Sequence, residues 1–400
     1  MTLARLAWAN LRATPITSAL NVILLALGTA TIVVLLLASH QFSETLARDA
    51  DGIDLVLGAK GSPIQLVLST VYHADVPTGN IPLHEAQRWS DDRRVAHAIP
   101  LSLGDSAEGF RIVGTTHEYP SLYGAETARG RLWEAPLEAV VGAEVARIAD
   151  LAPGDTLTGA HGLSAMGDLH AEAPFRVVGV LAPTGAVIDR LILTSLESVW
   201  DVHGIDHDHG HGHDEAEAAQ EITAMLVGYA SPIAAASLPR QINAQSNLQA
   251  ASPAFELARM LQVLGLGVEG LRAFALILIA SAALSVFGAM YGALRSRRGE
   301  LAMMRCLGGT RGELMASLLI EGLILGLIGT AVGMLVGHTT IQLIGSALAE
   351  SRGVTLTGAT LLLEELWLAA AMILVALLAA AIPAWQAYRT DVSRALAHRG

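Results

Sequence analysis

Residues Arg295–Gly337 read RSRRGELAMMRCLGGTRGELMASLLIEGLILGLIGTAVGMLVG, an arginine-rich stretch lying between two long runs that carry no ionised side chain. Working outward, no charged group occurs between Arg272 and Arg295, and none other than the titratable His338 between Glu321 and Glu350. The same holds between Arg12 and His40 and between Glu365 and Arg389. Each run exceeds the roughly 20 apolar residues that cross a bilayer, and four such runs in one chain exclude a purely soluble protein. Composition agrees: of 400 residues, 52% are hydrophobic, 16% charged and 4% aromatic. The first run, Ile16–Ala38, is too long for a secretory signal, whose apolar core spans about 7 to 15 residues, so it reads as a permanent span.

Orientation follows from the arginines. Arg5 and Arg12 precede the first run, Arg295, Arg297, Arg298, Arg305 and Arg311 separate the second from the third, and Arg389, Arg394 and Arg399 follow the fourth. The positive-inside rule makes these regions cytoplasmic, together with both termini. The expected fold is a membrane protein with four transmembrane α-helices and a large α+β extracytoplasmic domain between helices one and two. Residues 1–15 form a cytoplasmic amphipathic helix, 16–39 span one, 40–271 the outer domain, 272–294 span two and 295–313 a cytoplasmic hairpin. Span three is 314–344, a short outer loop 345–364, span four 365–388 and a cytoplasmic tail 389–400. The net charge of −12 is concentrated outside, which excludes nucleic acid as a partner. The single cysteine, Cys306, falls inside, so the outer domain folds without disulfides.

The outer segment of roughly 230 residues suffices for one sizeable domain or two smaller ones. Its ends are expected to be helical. Gln41–Asp49 continues span one, and Ser252 with Pro253 caps a helix running through Leu257, Met260 and Leu264 into span two, giving a helical stalk. Between them, Phe110–Gly114, Ala139–Val141, Phe175–Leu181 and Leu191–Thr194 read as strands bounded by Gly and Pro, while Pro136–Ile148 and Ser195–Trp200 read as short helices. The segment Gly58–Leu83, GAKGSPIQLVLSTVYHADVPTGNIPL, stands out without an assigned chemistry and fits either a strained turn near the stalk or plain packing there.

No nucleotide or catalytic motif is present in the sequence. The lone lysine, Lys60, sits in GAKGSP, whose spacing does not make a phosphate-binding P-loop, and there is no G-x-S-x-G or H-E-x-x-H. The one chemical cluster is HGIDHDHGHGHDE at residues 203–215, where His203, His207, His209, His211 and His213 alternate with Asp206 and Asp208. Imidazole and carboxylate at this density suit zinc, or nickel or copper, and a glycine-rich solvated insert fits the same residues. His73, His84, His161 and His170 are supplementary candidates that read more simply as surface or core residues.

In the opening stretch, Leu301, Met304 and Leu307 recur at helical spacing, Gly308 and Gly309 end that helix, and Thr310 with Glu313 forms a capping box for the next. The result is a short helix, a sharp turn and span three, with Arg298, Glu300, Met304, Arg305, Leu307, Gly308, Gly309, Thr310, Arg311 and Glu313 offered to a cytoplasmic partner. On span three, Gly326, Gly329, Gly333 and Gly337 allow close helix approach within the bundle or across a dimer. Glu321 is expected to pair with a hairpin arginine, and His338 to be a packed polar residue with no second intramembrane acid to form a proton path.

At these residues the chain resembles the FtsX-like and MacB-like permease family of ABC transporters. The resemblance rests on Arg297–Gly329, on ARLAWANLRATPITSALNVILLALG at residues 4–28, on FRVVGVLAPTGAVIDRLILTSLESVW at 175–200 and on PAWQAYRTDVSRAL at 383–396. It implies a non-catalytic four-span permease that dimerises, binds two copies of an ABC ATPase, carries ATP only on that partner, and moves its outer domain by mechanotransmission. MacB-type pumps carry the ATPase fused ahead of span one; about fifteen residues precede it here, so a separate ATPase chain is expected. The expectation is therefore a permease of a Gram-negative inner membrane that exports or releases a hydrophobic, lipoprotein or peptide-like substrate, with zinc and a periplasmic substrate or adaptor as further partners. The alternative is an FtsX-like regulator of a periplasmic cell-wall hydrolase, with nothing transported.

Overall fold

The computed structural model describes residues 3–161, 173–205, 220–296, 303, 306, 308–352 and 356–389. The chain divides into two compact units, Met1–Phe42 with Gly265–Gly400, and Ser43–Leu264.

In chain order, α1 (Leu3–Ala13) is amphipathic, burying Ala7 and Leu11 while Trp8 faces outward with the Arg12 guanidinium 5.0 Å above its ring. Pro15 opens α2 (Pro15–Asp49), whose fixed backbone angle and missing N–H suit a first helical position. At 1.5 Å per residue its 35 residues extend about 52 Å, well beyond the roughly 30 Å hydrocarbon core of a bilayer.

The outer unit follows with β1 (Leu55–Ala59), α3 (Pro63–Thr70), β2 (Ile81–Pro82), α4 (Leu83–Ser90), β3 (Val95–Ala107), β4 (Phe110–Thr115), α5 (Glu118–Leu122), β5 (Thr127–Gly130), β6 (Glu138–Val141) and α6 (Ala143–Ile148). It continues through β7 (Thr156–Leu157), β8 (Ala160–His161), β9 (Phe175–Leu181), β10 (Leu191–Ser195), α7 (Leu196–Ile205), β11 (Glu221–Ile222), β12 (Ala224–Tyr229), α8 (Pro232–Gln245) and β13 (Leu248–Ala251). Among the described residues, one mixed sheet runs in the order β13-β1-β12-β3-β4-β10-β6-β9-β5, with β7 and β8 on side branches. The hub is β3. Its first half pairs β12 (Leu101↔Ala224) and its second half pairs β4 (Ala107↔Phe110), with a bulge inside the β4 pairing between Leu103 and Ser106. Glu108 (φ 52°) and Gly109 (φ 80°) close the β3–β4 hairpin with both central residues left-handed, as a tight two-residue turn requires.

Both faces of this sheet are buried. On β1, Val56 enters one core while Leu55 and Leu57 enter another, and on β12 Leu226 opposes Met225 and Val227. The first core also takes Leu46 from the end of α2, Leu66 and Val67 from α3, and Leu257 and Met260 from the following helix. α8 covers the opposite face near β1, and α6 covers it near β9. The expected helix Pro136–Ile148 is corrected: Glu138–Val141 is an interior strand between β10 and β9, and helix begins only at Ala143 after extended Gly142.

The membrane unit completes α2 with α9 (Pro253–Ser296), α10 (Arg311–Arg352) and α11 (Leu363–Tyr388). Together with α2 these are four helices, among the described residues, long and apolar enough to span a bilayer. α10 runs on to Arg352, well past the expected end of span three. Their core joins Leu11, Leu25, Val286, Met290, Leu318, Leu325, Met372, Ala376 and Ala380, while Phe274, Leu276, Leu284, Trp367, Leu374 and Leu378 point outward as lipid-facing residues must.

Candidate functional site

The turn expected to be cytoplasmic is described from Gly308 onward. Gly308 takes a left-handed φ of 98°, ending the preceding chain direction as only glycine does cheaply. Thr310 N–H donates to Glu313 Oε2 at 2.7 Å and Glu313 N–H to Thr310 Oγ1 at 3.2 Å, a reciprocal pair that satisfies two otherwise orphaned donors at the start of α10. Gly308, Thr310, Arg311 and Glu313 are exposed and Gly309 is half-buried. Arg298, Glu300, Met304, Arg305 and Leu307 lie outside the described residues.

Beside this end of the membrane unit is a cavity of about 280 Å³ lined by Asn10, Ser18, Asn21, Gly288, Gly292 and Glu321 among others. Glu321, 2% exposed, accepts from Asn10 Nδ2 at 2.5 Å, and Ser285 donates to Asn21 Oδ1 at 2.7 Å. A buried carboxylate among spanning helices is costly unless hydrogen-bonded, so Asn10 on α1 ties that helix to α10. The hairpin arginines expected to pair with Glu321 lie outside the described residues, apart from Arg295 and Arg311.

The α10 glycines sit at close helix crossings. A Cβ at Gly326 would stand 2.9 Å from Ala376 Cβ on α11, while Cβ atoms at Gly329, Gly333 and Gly337 would crowd Leu25, Ala26 with Thr29, and Val33 on α2. Small residues here let three helix backbones approach.

In the outer unit, the last turn of α2 is held by side chains from separate segments. Tyr72 Oη donates to Leu46 O at 3.3 Å and Tyr123 Oη to Asp49 O at 2.9 Å. The Asp49 carboxylate accepts from Val187 N–H at 2.7 Å, and Arg48 Nη1 donates to Gly185 O at 2.9 Å. The bond to Asp49 O fills a carbonyl that the helix C-terminus leaves unpaired, whereas Leu46 O also accepts Ala50 N–H at 3.3 Å. Burial pushes the Tyr72 phenol up to about 12, so it remains a donor.

Tyr72 belongs to the sequence segment Gly58–Leu83, and the next residue explains that segment. His73 adopts φ 51°, in the left-handed region, which makes the turn after α3 a strained one. Its Nε2 lies 2.9 Å from Tyr119 Oη, and its buried Nδ1 has no partner. Burial, and then the guanidinium groups of Arg111 and Arg190, hold this histidine well below its ordinary range and therefore neutral. Arg111, 5% exposed, pins the turn by donating to Ser69 O at 3.0 Å and Asp75 O at 2.7 Å. Sequence reasoning missed Arg48, Asp49, Tyr72, Arg111 and Tyr123; only the unusual segment around Tyr72 gave a signal.

The histidine tract falls largely outside the described residues: His207, His209, His211, His213, Asp206 and Asp208 all do, while the backbone of His203 lies in α7. Among the described residues no group of three or more His, Cys, Asp or Glu side chains is placed to hold a metal ion. His84 is exposed on α4, His161 pairs by backbone in β8, and His170 is not described. Lys60 donates to Asn243 O at 3.0 Å, a structural contact.

At the ends of α10 and α11 remote from the Thr310 turn, His338 bonds Glu365, a 1% exposed residue of α11. The expectation is a packed polar residue with no second intramembrane acid to form a proton path; the acid it meets, Glu365, stands in the first turn of α11. Glu365 escaped notice because it closes the charge-free run instead of interrupting it.

Two family models match the chain. One describes the MacB-like periplasmic core domain and covers residues 18–245; the other describes the FtsX-like permease C-terminal region and covers 272–392. No curated protein matches. Among solved structures, the periplasmic region of MacB from Actinobacillus actinomycetemcomitans aligns at 13% identity and a TM-score of 0.33, covering 53% of this chain and 95% of that one. The extracellular domain of the noncanonic ABC-type transporter YknZ from Gram-positive bacteria aligns at 11% identity and a TM-score of 0.31, covering 49% of this chain and 98% of that one.

Proposed function

The chain belongs to the FtsX/MacB-like permease family of ABC transporters, and on that premise we propose that it couples ATP hydrolysis on a separate ATPase subunit to movement of its outer unit. Permeases of this family associate with an ABC ATPase at the membrane, and this one is a multi-pass membrane protein. The work is export or release of a hydrophobic, lipoprotein or peptide-like substrate at the outer face of a bacterial inner membrane, by a dimer of permeases bearing two ATPase copies.

The observation that carries this reading is the grip on the last turn of α2. A helix passing through a bilayer and ending in four specific hydrogen bonds within the outer unit is suited to transmit displacement, because its end cannot slide without breaking them. The exposed, capped Thr310–Glu313 turn supplies a rigid cytoplasmic surface for an ATPase.

The test uses the full chain with its ATPase in proteoliposomes. Arg311→Glu is expected to lower co-purification of the ATPase by about tenfold or more, a coupling of about 1.4 kcal/mol. Tyr72→Phe combined with Tyr123→Phe is expected to leave the complex intact and remove substrate stimulation of ATP hydrolysis. Unchanged co-purification in the first variant and unchanged stimulation in the second overturn the proposal. Capture of a cell-wall hydrolase on the outer unit, with no substrate stimulation even in the parent protein, replaces transport with regulation of that hydrolase.

A further inference from the structure

The segment 356–362, between α10 and α11, is tied down by an unusual density of polar contacts. Gln41 on α2 reads Thr357 with both ends of its amide, Nε2 donating to the carbonyl at 2.9 Å and Oε1 accepting the N–H at 2.8 Å. Gln342 Oε1 accepts from Gly358 N–H at 2.9 Å, and Glu365 Oε1 accepts from Leu362 N–H at 3.3 Å. Leu356 and Leu362 pack on a small cluster of Val33, Leu37 and Ile341. At the centre, His338 Nδ1 lies 2.7 Å from Gly358 O and its Nε2 lies 2.9 Å from Glu365 Oε2.

Proton counting at that centre is decisive. A carbonyl oxygen only accepts, so Nδ1 must carry a hydrogen. With Nδ1 protonated, a neutral imidazole presents a bare lone pair at Nε2, directly facing a carboxylate oxygen that is also acceptor-only when ionised. The other tautomer moves the clash to Gly358 O. Both hydrogen bonds therefore exist together only with one further proton, as imidazolium with carboxylate or as imidazole with carboxylic acid. The conclusion does not depend on which of the two microstates holds.

We propose that His338 and Glu365 form a proton-binding site that fastens the 356–362 segment to α10 when the proton is bound and loosens it when the proton leaves. Removing the proton breaks one of two bonds on a carboxylate whose side chain is 2% exposed, leaving a buried acceptor facing a lone pair. The segment can relieve this by releasing Gly358 O and admitting water. Nearest along the packed helices are Glu364, exposed beside Glu365, His40, exposed beside Gln41, and Glu44 one turn further on α2, while Glu321, Glu350 and Arg352 lie several turns from His338 along α10; the groups that α2 and α10 present to the segment itself, Gln41 and Gln342, do not titrate. The site shares no residue with the Thr310 turn or with the grip on α2, so its fate is independent of the transport reading.

The test is hydrogen exchange of the full chain in lipid nanodiscs, read on peptides covering 356–362 from about pH 5 to about pH 9 and corrected for base catalysis of the chemical step. Release of one proton on opening makes the opening equilibrium of the parent protein rise about tenfold per pH unit above the midpoint of the pair. Glu365→Gln offers Nε2 an amide donor in place of the carboxylate, so neutral His338 keeps both bonds; protection should persist and its pH slope should vanish. Gln41→Leu should lower protection equally at every pH and leave the slope in place, as plain loosening does. Protection independent of pH in the parent chain, or a slope unchanged in Glu365→Gln, overturns the proposal. If Glu365→Gln does not yield folded protein, His338→Gln serves in its place, since its amide titrates no proton and must likewise lose the slope.

Discussion

Within the outer unit and within the membrane unit, opposite kinds of residue do the packing. In the outer unit the fully buried side chains are large: Tyr119, Phe175, Ile99, Leu101 and Ile112 fill both faces of a sheet. In the membrane unit the tightest crossings are made by what is missing, at Gly326, Gly329, Gly333 and Gly337, while Trp367, Leu374 and Leu378 look away from the protein. Water rewards burying a phenylalanine by area; lipid gives no such reward, so the membrane helices gain from close backbone approach and interhelical polar contacts. The contrast extends to ionisable groups. The outer unit keeps His73 neutral in its core, whereas the membrane unit pairs Glu321 with Asn10 and His338 with Glu365.

The largest expected effect that tests this contrast is Phe175→Ala, in the core beneath β9. Loss of transfer energy plus a cavity should cost about 3 to 5 kcal/mol, seen as a lowered unfolding midpoint of the outer unit within the full chain. An outer unit that tolerates this change with less than about 1 kcal/mol would erase the distinction. Next comes Gly333→Leu, which drives side-chain atoms at Ala26 O and Thr29 on α2 and should cost about 1 to 3 kcal/mol or more by overpacking. Gly288→Ala, where an added Cβ meets nothing within 4 Å, serves as the matched control and should leave the thermal midpoint in detergent unchanged. Equal losses in the two variants would mean that glycine spacing, and not contact, is what matters.

The smallest effect sharpens the comparison at His73. Its folded-state pKa is depressed, so below about pH 6.5 the unfolded chain binds a proton that the native chain refuses. Stability should therefore fall as pH drops below that point, by up to about 1.4 kcal/mol per unit. His73→Asn, which tolerates the left-handed backbone, should flatten this limb of the stability–pH curve measured by urea unfolding. A limb of the same slope in the variant would assign the acid sensitivity elsewhere.

How far each unit was legible follows from the same physics. The spanning helices declare themselves because a bilayer forbids charge over a fixed length, and only their ends depart from expectation, as where α10 continues to Arg352. Four outer strands were visible where Gly and Pro bound short β-branched runs. β1, β12 and β13 were not, because burial on both sheet faces erases the alternation that marks a strand, as Leu55, Val56 and Leu57 illustrate. Glu138–Val141 was read both ways for a related reason: a short apolar run fits either element until its neighbours are known. The capping residues Thr310 and Glu313 were legible because a cap is local. The grip on α2 was not, since Tyr123 meets Asp49 across a sequence gap of 74 residues and no short pattern encodes such a meeting.

The dual pairing of β3 also dictates a timetable. Its second half meets β4 almost at once, through a two-residue turn, whereas its first half waits for β12, and β1 waits for the same strand in the register Leu55↔Val227. At ribosomal speeds of about 5 to 20 residues per second, β1 stands unpaired for roughly ten to thirty seconds after its synthesis. A nascent chain thus holds β1 without partners after its first membrane helix has already been made, until the six-residue β12 covers one edge and β13, made later still, covers the other.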